Sequence, residues 1–127
     1  NPFENGVVGA SGLHAVMTRE VALRGERTVQ RRSYPFFYNP MWSMFGDGPP
    51  GPPGTYYYDG GGHVVYFWNM FDQVLLRPEL ARRFDSSDLG IVTVVGDTSL
   101  LSASGRPDGN IGSDHLPLLF RLDLEER

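Results

Sequence analysis

A carboxylate and an imidazole stand side by side near the end of the sequence, at Asp114 and His115. The pair follows the polar, glycine-containing loop 104–111 and precedes the apolar run 116–124. A residue where a loop meets a strand has a fixed backbone and an open side chain, which suits binding or proton transfer. An isolated Asp-His pair is more often a turn-capping aspartate beside a surface histidine, and the dipeptide alone leaves both interpretations open.

The elements that must position this pair are predicted to be mainly short strands. Two aromatic and β-branched runs, 55–58 and 63–68, flank the turn 59–62 and predict a hairpin. The largely apolar run 70–76 predicts an interior strand. Further strands are predicted at 91–95, 98–101 and 116–124. Short helices are predicted at 18–24, capped by Thr18, and at 78–84, opened by Pro78. The pattern predicts an α+β fold dominated by sheet.

Two motifs in the sequence resemble those of one enzyme family. The run Ser113-Asp114-His115-Leu116-Pro117, followed by an apolar strand, resembles the carboxy-terminal signature of the endonuclease/exonuclease/phosphatase family. These enzymes are metal-dependent phosphodiesterases related to DNase I and the abasic-site endonucleases. The run 68–76, WNMFDQVLL, is similar to the family strand whose aspartate supports the catalytic histidine. In place of the tyrosine or histidine that many members carry after that aspartate, this chain has Gln73.

The resemblance implies roles for three residues. It makes His115 the base or transition-state stabiliser, Asp72 its supporting carboxylate, and Asp114 a catalytic residue that helps to hold Mg²⁺ or Mn²⁺. A histidine in such a role needs one ring nitrogen facing the substrate and the other held by a carboxylate, which fixes the tautomer. The alternative for Asp72 is a strand-end aspartate that accepts backbone N–H groups. Ser113 and Pro117 are expected to be structural.

The start of the sequence extends the resemblance. Residues 1–3, Asn-Pro-Phe, are similar to those that follow the family's Gly-Asp-x-Asn motif, and Asn1 could be the motif asparagine or a residue shortly after it. The resemblance therefore implies that residues 1–127 are the carboxy-terminal portion of one domain, whose amino-terminal half carries the other metal ligands. The implied fold is part of a four-layer α/β/β/α sandwich, and the chain alone is expected to be inactive.

Composition limits the other possibilities. The 127 residues carry 11 basic and 15 acidic side chains, and every basic residue is arginine. A net charge of −4 argues against a freestanding nucleic-acid binder. The absence of cysteine excludes disulfides, thiolate metal sites and a cysteine nucleophile. Without a leader-like start or an apolar run of membrane-spanning length, no membrane span is predicted, and the chain is expected to be cytoplasmic.

The expected partners are a phosphate-ester substrate, with nucleic acid among the candidates, and either an amino-terminal half or a second copy of the chain. The alternative function is a catalytically incomplete binding or scaffold module that kept the fold. His14, flanked by apolar residues, is expected to be packed or half-exposed instead of serving as a ligand.

Overall fold

A computed structural model of the chain describes residues 1–48, 50–60, 62 and 64–125. It contains short helices and short strands, and no helix in this part of the chain is long and apolar enough to cross a bilayer. The helices are α1 Asn5–Val8, α2 Arg19–Ala22 and α3 Pro78–Ala81, with 3-10 turns at Pro40–Met44 and Ser86–Asp88. The strands are β1 Ala15–Val16, β2 Glu26–Val29, β3 Arg32–Pro35, β4 Phe37–Tyr38, β5 Tyr56–Tyr58, β6 Phe67–Asn69, β7 Gly90–Ile91, β8 Val94–Val95, β9 Thr98–Ser99 and β10 Leu118–Leu119.

The strands pair two by two in the described residues. Strands β2 and β3, β5 and β6, β8 and β9, and β7 and β10 are antiparallel, whereas β1 and β4 are parallel. In the β5–β6 hairpin, Tyr56 pairs with Asn69 and Tyr58 with Phe67. The mixture of short helices and mainly antiparallel strands confirms the α+β prediction.

The core forms where α2 and α3 pack against β4 and the segment 70–76. Thr18 caps α2 by accepting the N–H of Val21, as predicted, and α3 begins at Pro78. Each helix turns a buried alanine inward, which lets the short helices approach closely. The buried cluster consists of Ala22, Phe36, Tyr38, Met41, Met70, Val74, Leu76, Ala81 and Phe84.

The prediction of an interior strand at 70–76 is wrong. Within this run only Leu76 makes a strand-like bridge, to Tyr38, and Asp72 lies in a bend. Met70, Val74 and Leu76 are buried in the core, which explains the apolar pattern without strand pairing. Side chains of Asn1, Gln73 and Thr55 form hydrogen bonds with the backbone of Met70 and Asp72, in place of strand pairing.

Other boundaries also differ from prediction. The second hairpin strand is Phe67–Asn69 instead of 63–68, and Gly61 and His63 lie outside the described residues. The run 91–95 divides between β7 and β8, which pair with different strands. The predicted strand 116–124 is reduced to β10. Its entry residue Pro117 has no N–H to donate and contributes only its carbonyl, which accepts the N–H of Val92.

Candidate active site

Asp72 and His115 are in direct contact. Nδ1 of His115 lies 2.7 Å from Oδ2 of Asp72, a distance typical of a charge-assisted hydrogen bond. Because an ionised carboxylate can only accept, the proton of this bond belongs to Nδ1. In the described part of the chain no hydrogen bond involves Nε2, and about 40% of the His115 side chain is exposed. The neutral ring therefore presents a lone pair on Nε2 to solvent.

This hydrogen-bonded pair contributes little to folding stability. The side chains of Asp72 and His115 are 38% and 40% exposed, and pairs with this access to water are typically worth about 0 to 1 kcal/mol. Its main effect is to fix the orientation and tautomer of the imidazole. That is the property a proton-transfer group requires.

Strand β5 lies between the two segments that carry the pair. On one side Tyr56 is in register with Asn69 of β6, and on the other it bridges to His115. β6 leads directly into the bend that carries Asp72. Asp72 and His115 are distant along the chain, and the single strand β5 between their segments brings them together in the fold.

Thr55, just before β5, holds both segments at once. Its side chain is fully buried, and its hydroxyl oxygen accepts the backbone N–H of Asp72 at 3.2 Å. Its carbonyl accepts the N–H of Leu116 at 2.8 Å, and its own N–H donates to the carbonyl of Asn69. Thr55 thus connects the backbone at Asp72 to the residue next to His115. Sequence analysis assigned Thr55 only to a strand, since its contacts appear only in the folded chain.

Two aromatic rings flank His115. The Tyr56 ring centre lies 4.8 Å from that of His115, and the Phe71 ring centre lies 6.3 Å away. Tyr56 and Phe71 also contact each other, with 5.2 Å between centres. Sequence analysis did not select either residue, although Phe71 directly precedes Asp72. The rings restrict the rotation of the imidazole and give one side of the site an apolar surface.

Asn1 is tied to the segment that leads to Asp72. Its Oδ1 accepts the N–H of Met70 at 2.8 Å, and its Nδ2 donates to Oδ1 of Asn69 at 2.9 Å. Only 6% of Asn1 is exposed. The contacts given for Asn1 support the backbone behind the site and do not join it to His115.

Asp114 lies beside the pair in sequence without joining it by a hydrogen bond. The Ser113 hydroxyl accepts the N–H of His115 at 3.0 Å and donates to Oδ1 of Asp114 at 3.4 Å. This local turn agrees with the structural role expected for Ser113. Asp114 itself is exposed.

The described residues do not make a magnesium site by themselves. Among the described residues, no three histidine, aspartate or glutamate side chains are grouped so that they could hold a metal ion. Mg²⁺ requires near-octahedral oxygen coordination, and Asp114 offers one carboxylate.

His14 is packed in the interior, one of the two environments expected for it. It is 2% exposed, its ring contacts Tyr34 and Phe36, and its buried Nδ1 has no hydrogen-bond partner among the described residues. Burial lowers the pKa of His14, and the nearby Arg27 lowers it further. The neutral, packed imidazole has no part in the Asp72–His115 site.

Comparison of the chain with models of known protein families, with curated proteins and with solved structures gave no match. The function must therefore be inferred from the residues of the site. A solvent-facing imidazole whose far nitrogen is held by a carboxylate is suited to taking a proton from water or stabilising negative charge.

Proposed function

We propose that this chain supplies the histidine and its supporting carboxylate to a metal-dependent phosphoester hydrolase, a phosphodiesterase or phosphatase of the endonuclease/exonuclease/phosphatase type. The observation that carries the proposal is the 2.7 Å contact between Asp72 Oδ2 and His115 Nδ1. The two residues come from the two separate motifs on which the family resemblance rests. Their meeting across β5 supports that resemblance.

In the proposed reaction, Nε2 of His115 accepts a proton as water attacks the phosphorus atom of the ester. A new P–O bond forms to the water oxygen, the P–O bond to the leaving group breaks, and the leaving oxygen takes up a proton. Asp72 holds Nδ1–H throughout and stabilises the positive charge that develops on the ring. His115 can equally act as the protonated group that stabilises the charge on the phosphate.

The resemblance implies Mg²⁺ or Mn²⁺, with Asp114 as one ligand, within a four-layer α/β/β/α sandwich. Because the described residues do not complete such a site, the proposal requires further ligands from polypeptide beyond these 127 residues. An amino-terminal half or a second copy of the chain could provide them. The proposed substrate is a phosphate ester, with nucleic acid among the candidates.

A second candidate is a binding or scaffold module that kept the fold and the Asp-His pair. The incomplete metal site favours this candidate, since the described residues contain no group of three or more side chains that could hold a metal ion. The two candidates differ in a single property. Only the hydrolase loses turnover when the imidazole of His115 is removed.

The test is hydrolysis of a generic phosphodiester such as bis(p-nitrophenyl) phosphate in the presence of Mg²⁺. The protein is expressed together with any residues encoded upstream of Asn1, as wild type, as His115→Ala and as the control Arg24→Ala, in the exposed turn that follows α2. The proposal expects activity in the wild type and the control and a loss of about 10²-fold or more in His115→Ala. Equal activity in all three proteins would contradict it.

A further inference from the structure

The bend that carries Asp72 is held by side-chain amides. Nε2 of Gln73 donates to the carbonyl of Met70 at 3.0 Å, which closes the bend across Asp72. Oε1 of Gln73 accepts from Nδ2 of Asn39 at 2.8 Å. Asn39 lies between β4 and the 3-10 turn Pro40–Met44 and is fully buried. Gln73 therefore connects the bend to a fixed point in the core.

The direction of this chain of hydrogen bonds is set by the backbone at both ends. The N–H of Met41 donates to Oδ1 of Asn39 at 3.0 Å, so Nδ2 of Asn39 is left to donate. The Gln73 oxygen must then accept, and its nitrogen must donate. The Met70 carbonyl, which can only accept, completes the sequence. One arrangement of both amides satisfies every group.

Asp72 is consequently fixed from several sides. The N–H of Met70 is held by Asn1, the Met70 carbonyl by Gln73, and the N–H of Asp72 by Thr55. Polar backbone groups in this partly buried setting are costly to leave unpaired. The bend keeps its shape without strand pairing because each of these groups has a side-chain partner.

We propose that Gln73, oriented by Asn39, is a positioning residue that sets the carboxylate of Asp72 against Nδ1 of His115. This inference rests on the proposed function for its catalytic meaning, but it makes a structural statement that can be tested separately. Without the Gln73 contact the Met70 carbonyl is released, the bend gains freedom, and Oδ2 of Asp72 leaves its 2.7 Å position. The imidazole then loses its preference for the Nδ1–H tautomer.

The experiment measures that tautomer by ¹⁵N NMR of the histidine-labelled 127-residue chain at about pH 8.5, well above the ordinary histidine pKa of about 6.5. The variants are Gln73→Met, which keeps the length but removes both hydrogen bonds, and Gln73→Glu, which keeps the acceptor for Asn39 but has no N–H for Met70. Asp72→Ala gives the tautomer ratio of the His115 ring in the absence of the Asp72 carboxylate. Phe84→Leu, a core substitution away from the bend, controls for general loss of stability.

We expect His115 of the wild type and of Phe84→Leu to be mainly Nδ1–H. In Gln73→Met and Gln73→Glu the ratio of the Nδ1–H to the Nε2–H tautomer of His115 should fall about fivefold, because the hydrogen bond from His115 to Asp72 is lost. The ratio should approach that of Asp72→Ala. Folded Gln73 variants with the wild-type ratio would overturn the inference. It would also be overturned if neither variant folds, since Gln73 would then be a folding residue.

The outcome is independent of turnover. If His115→Ala leaves hydrolysis unchanged but the Gln73 variants lose the tautomer, the proposed function fails and the positioning role stands. If His115→Ala abolishes hydrolysis while the Gln73 variants keep both the tautomer and the activity, the positioning role fails and the function stands.

Discussion

The hydroxyl oxygen of Thr55 lies 3.2 Å from the backbone nitrogen of Asp72 and accepts its hydrogen. The same residue's carbonyl accepts the N–H of Leu116, next to His115. A buried residue outside the Asp72–His115 pair thus joins the two segments that bring the pair together. The geometry of the site depends on this central residue as well as on Asp72 and His115.

Replacing Thr55 by valine should therefore loosen the site. Valine keeps the branched shape but leaves the N–H of Asp72 without its acceptor, which should lower the free energy of unfolding by about 1 to 3 kcal/mol. Thr55→Ser keeps the hydroxyl and loses a methyl group worth about 1 kcal/mol. Urea unfolding measures the stability, and amide hydrogen exchange at Asp72 separates the two variants. Protection of that amide should be lost in Thr55→Val and kept in Thr55→Ser, and equal protection in both would argue against the contact.

Stability should depend on pH through His14. Burial holds the folded-state pKa of His14 below its ordinary value of 6.5, so the unfolded chain binds a proton more readily than the folded chain. The stabilising contribution is complete above about pH 6.5 and is lost as pH falls through the lowered folded-state pKa.

The comparison variant is His14→Asn, because asparagine tolerates the positive φ of 54° at this position and does not titrate. Denaturant unfolding of both proteins over a pH series measures the effect. The wild type should lose stability more steeply than the variant below about pH 6.5. Parallel pH profiles would show that the buried imidazole is not the group responsible.

The sequence was most informative where the candidate site residues are adjacent or lie in one continuous run. Asp114 and His115 are adjacent, and the apolar run around Asp72 is continuous, so both motifs can be found in the sequence without knowledge of the fold. The bend at Asp72 could not be predicted, because the burial of Met70, Val74 and Leu76 produces the same apolar pattern as an interior strand. What distinguishes the two is the set of side chains that satisfy the backbone, and the partners Thr55 and Asn39 are distant in sequence.

The aromatic neighbours of His115 show the same limit. Tyr56 contacts the imidazole only because β5 lies between β6 and the residues at His115. A tyrosine-rich run predicts a strand but does not predict which segments that strand will pair with. Gln73 departs from the pattern of the family that the sequence resembles, and its two hydrogen bonds give it a structural role in this fold.

The 127-residue chain alone should not hydrolyse phosphate esters when Mg²⁺ or Mn²⁺ is added. The physical reason is the small number of ligands, since Asp114 is exposed and the described residues contain no group that could complete an oxygen-ligated metal site. The measurement is turnover of bis(p-nitrophenyl) phosphate by the purified chain, with and without EDTA. Robust turnover that disappears with EDTA would show that the metal site lies within this chain and has been misplaced.

Asp72 and His115 are proposed to act as one unit, and a double-mutant cycle in hydrolysis measures whether they do. The proteins, expressed with any upstream residues, are wild type, His115→Ala, Asp72→Ala and the double variant, with Asp97→Ala as a control for loss of an exposed turn carboxylate. Folding of each is checked by circular dichroism. His115→Ala should lose about 10²- to 10⁴-fold in rate, Asp72→Ala should lose no more than that, and the double variant should match His115→Ala alone. Fully multiplicative losses would contradict the account, because they would mean that the carboxylate and the imidazole work independently despite their 2.7 Å contact.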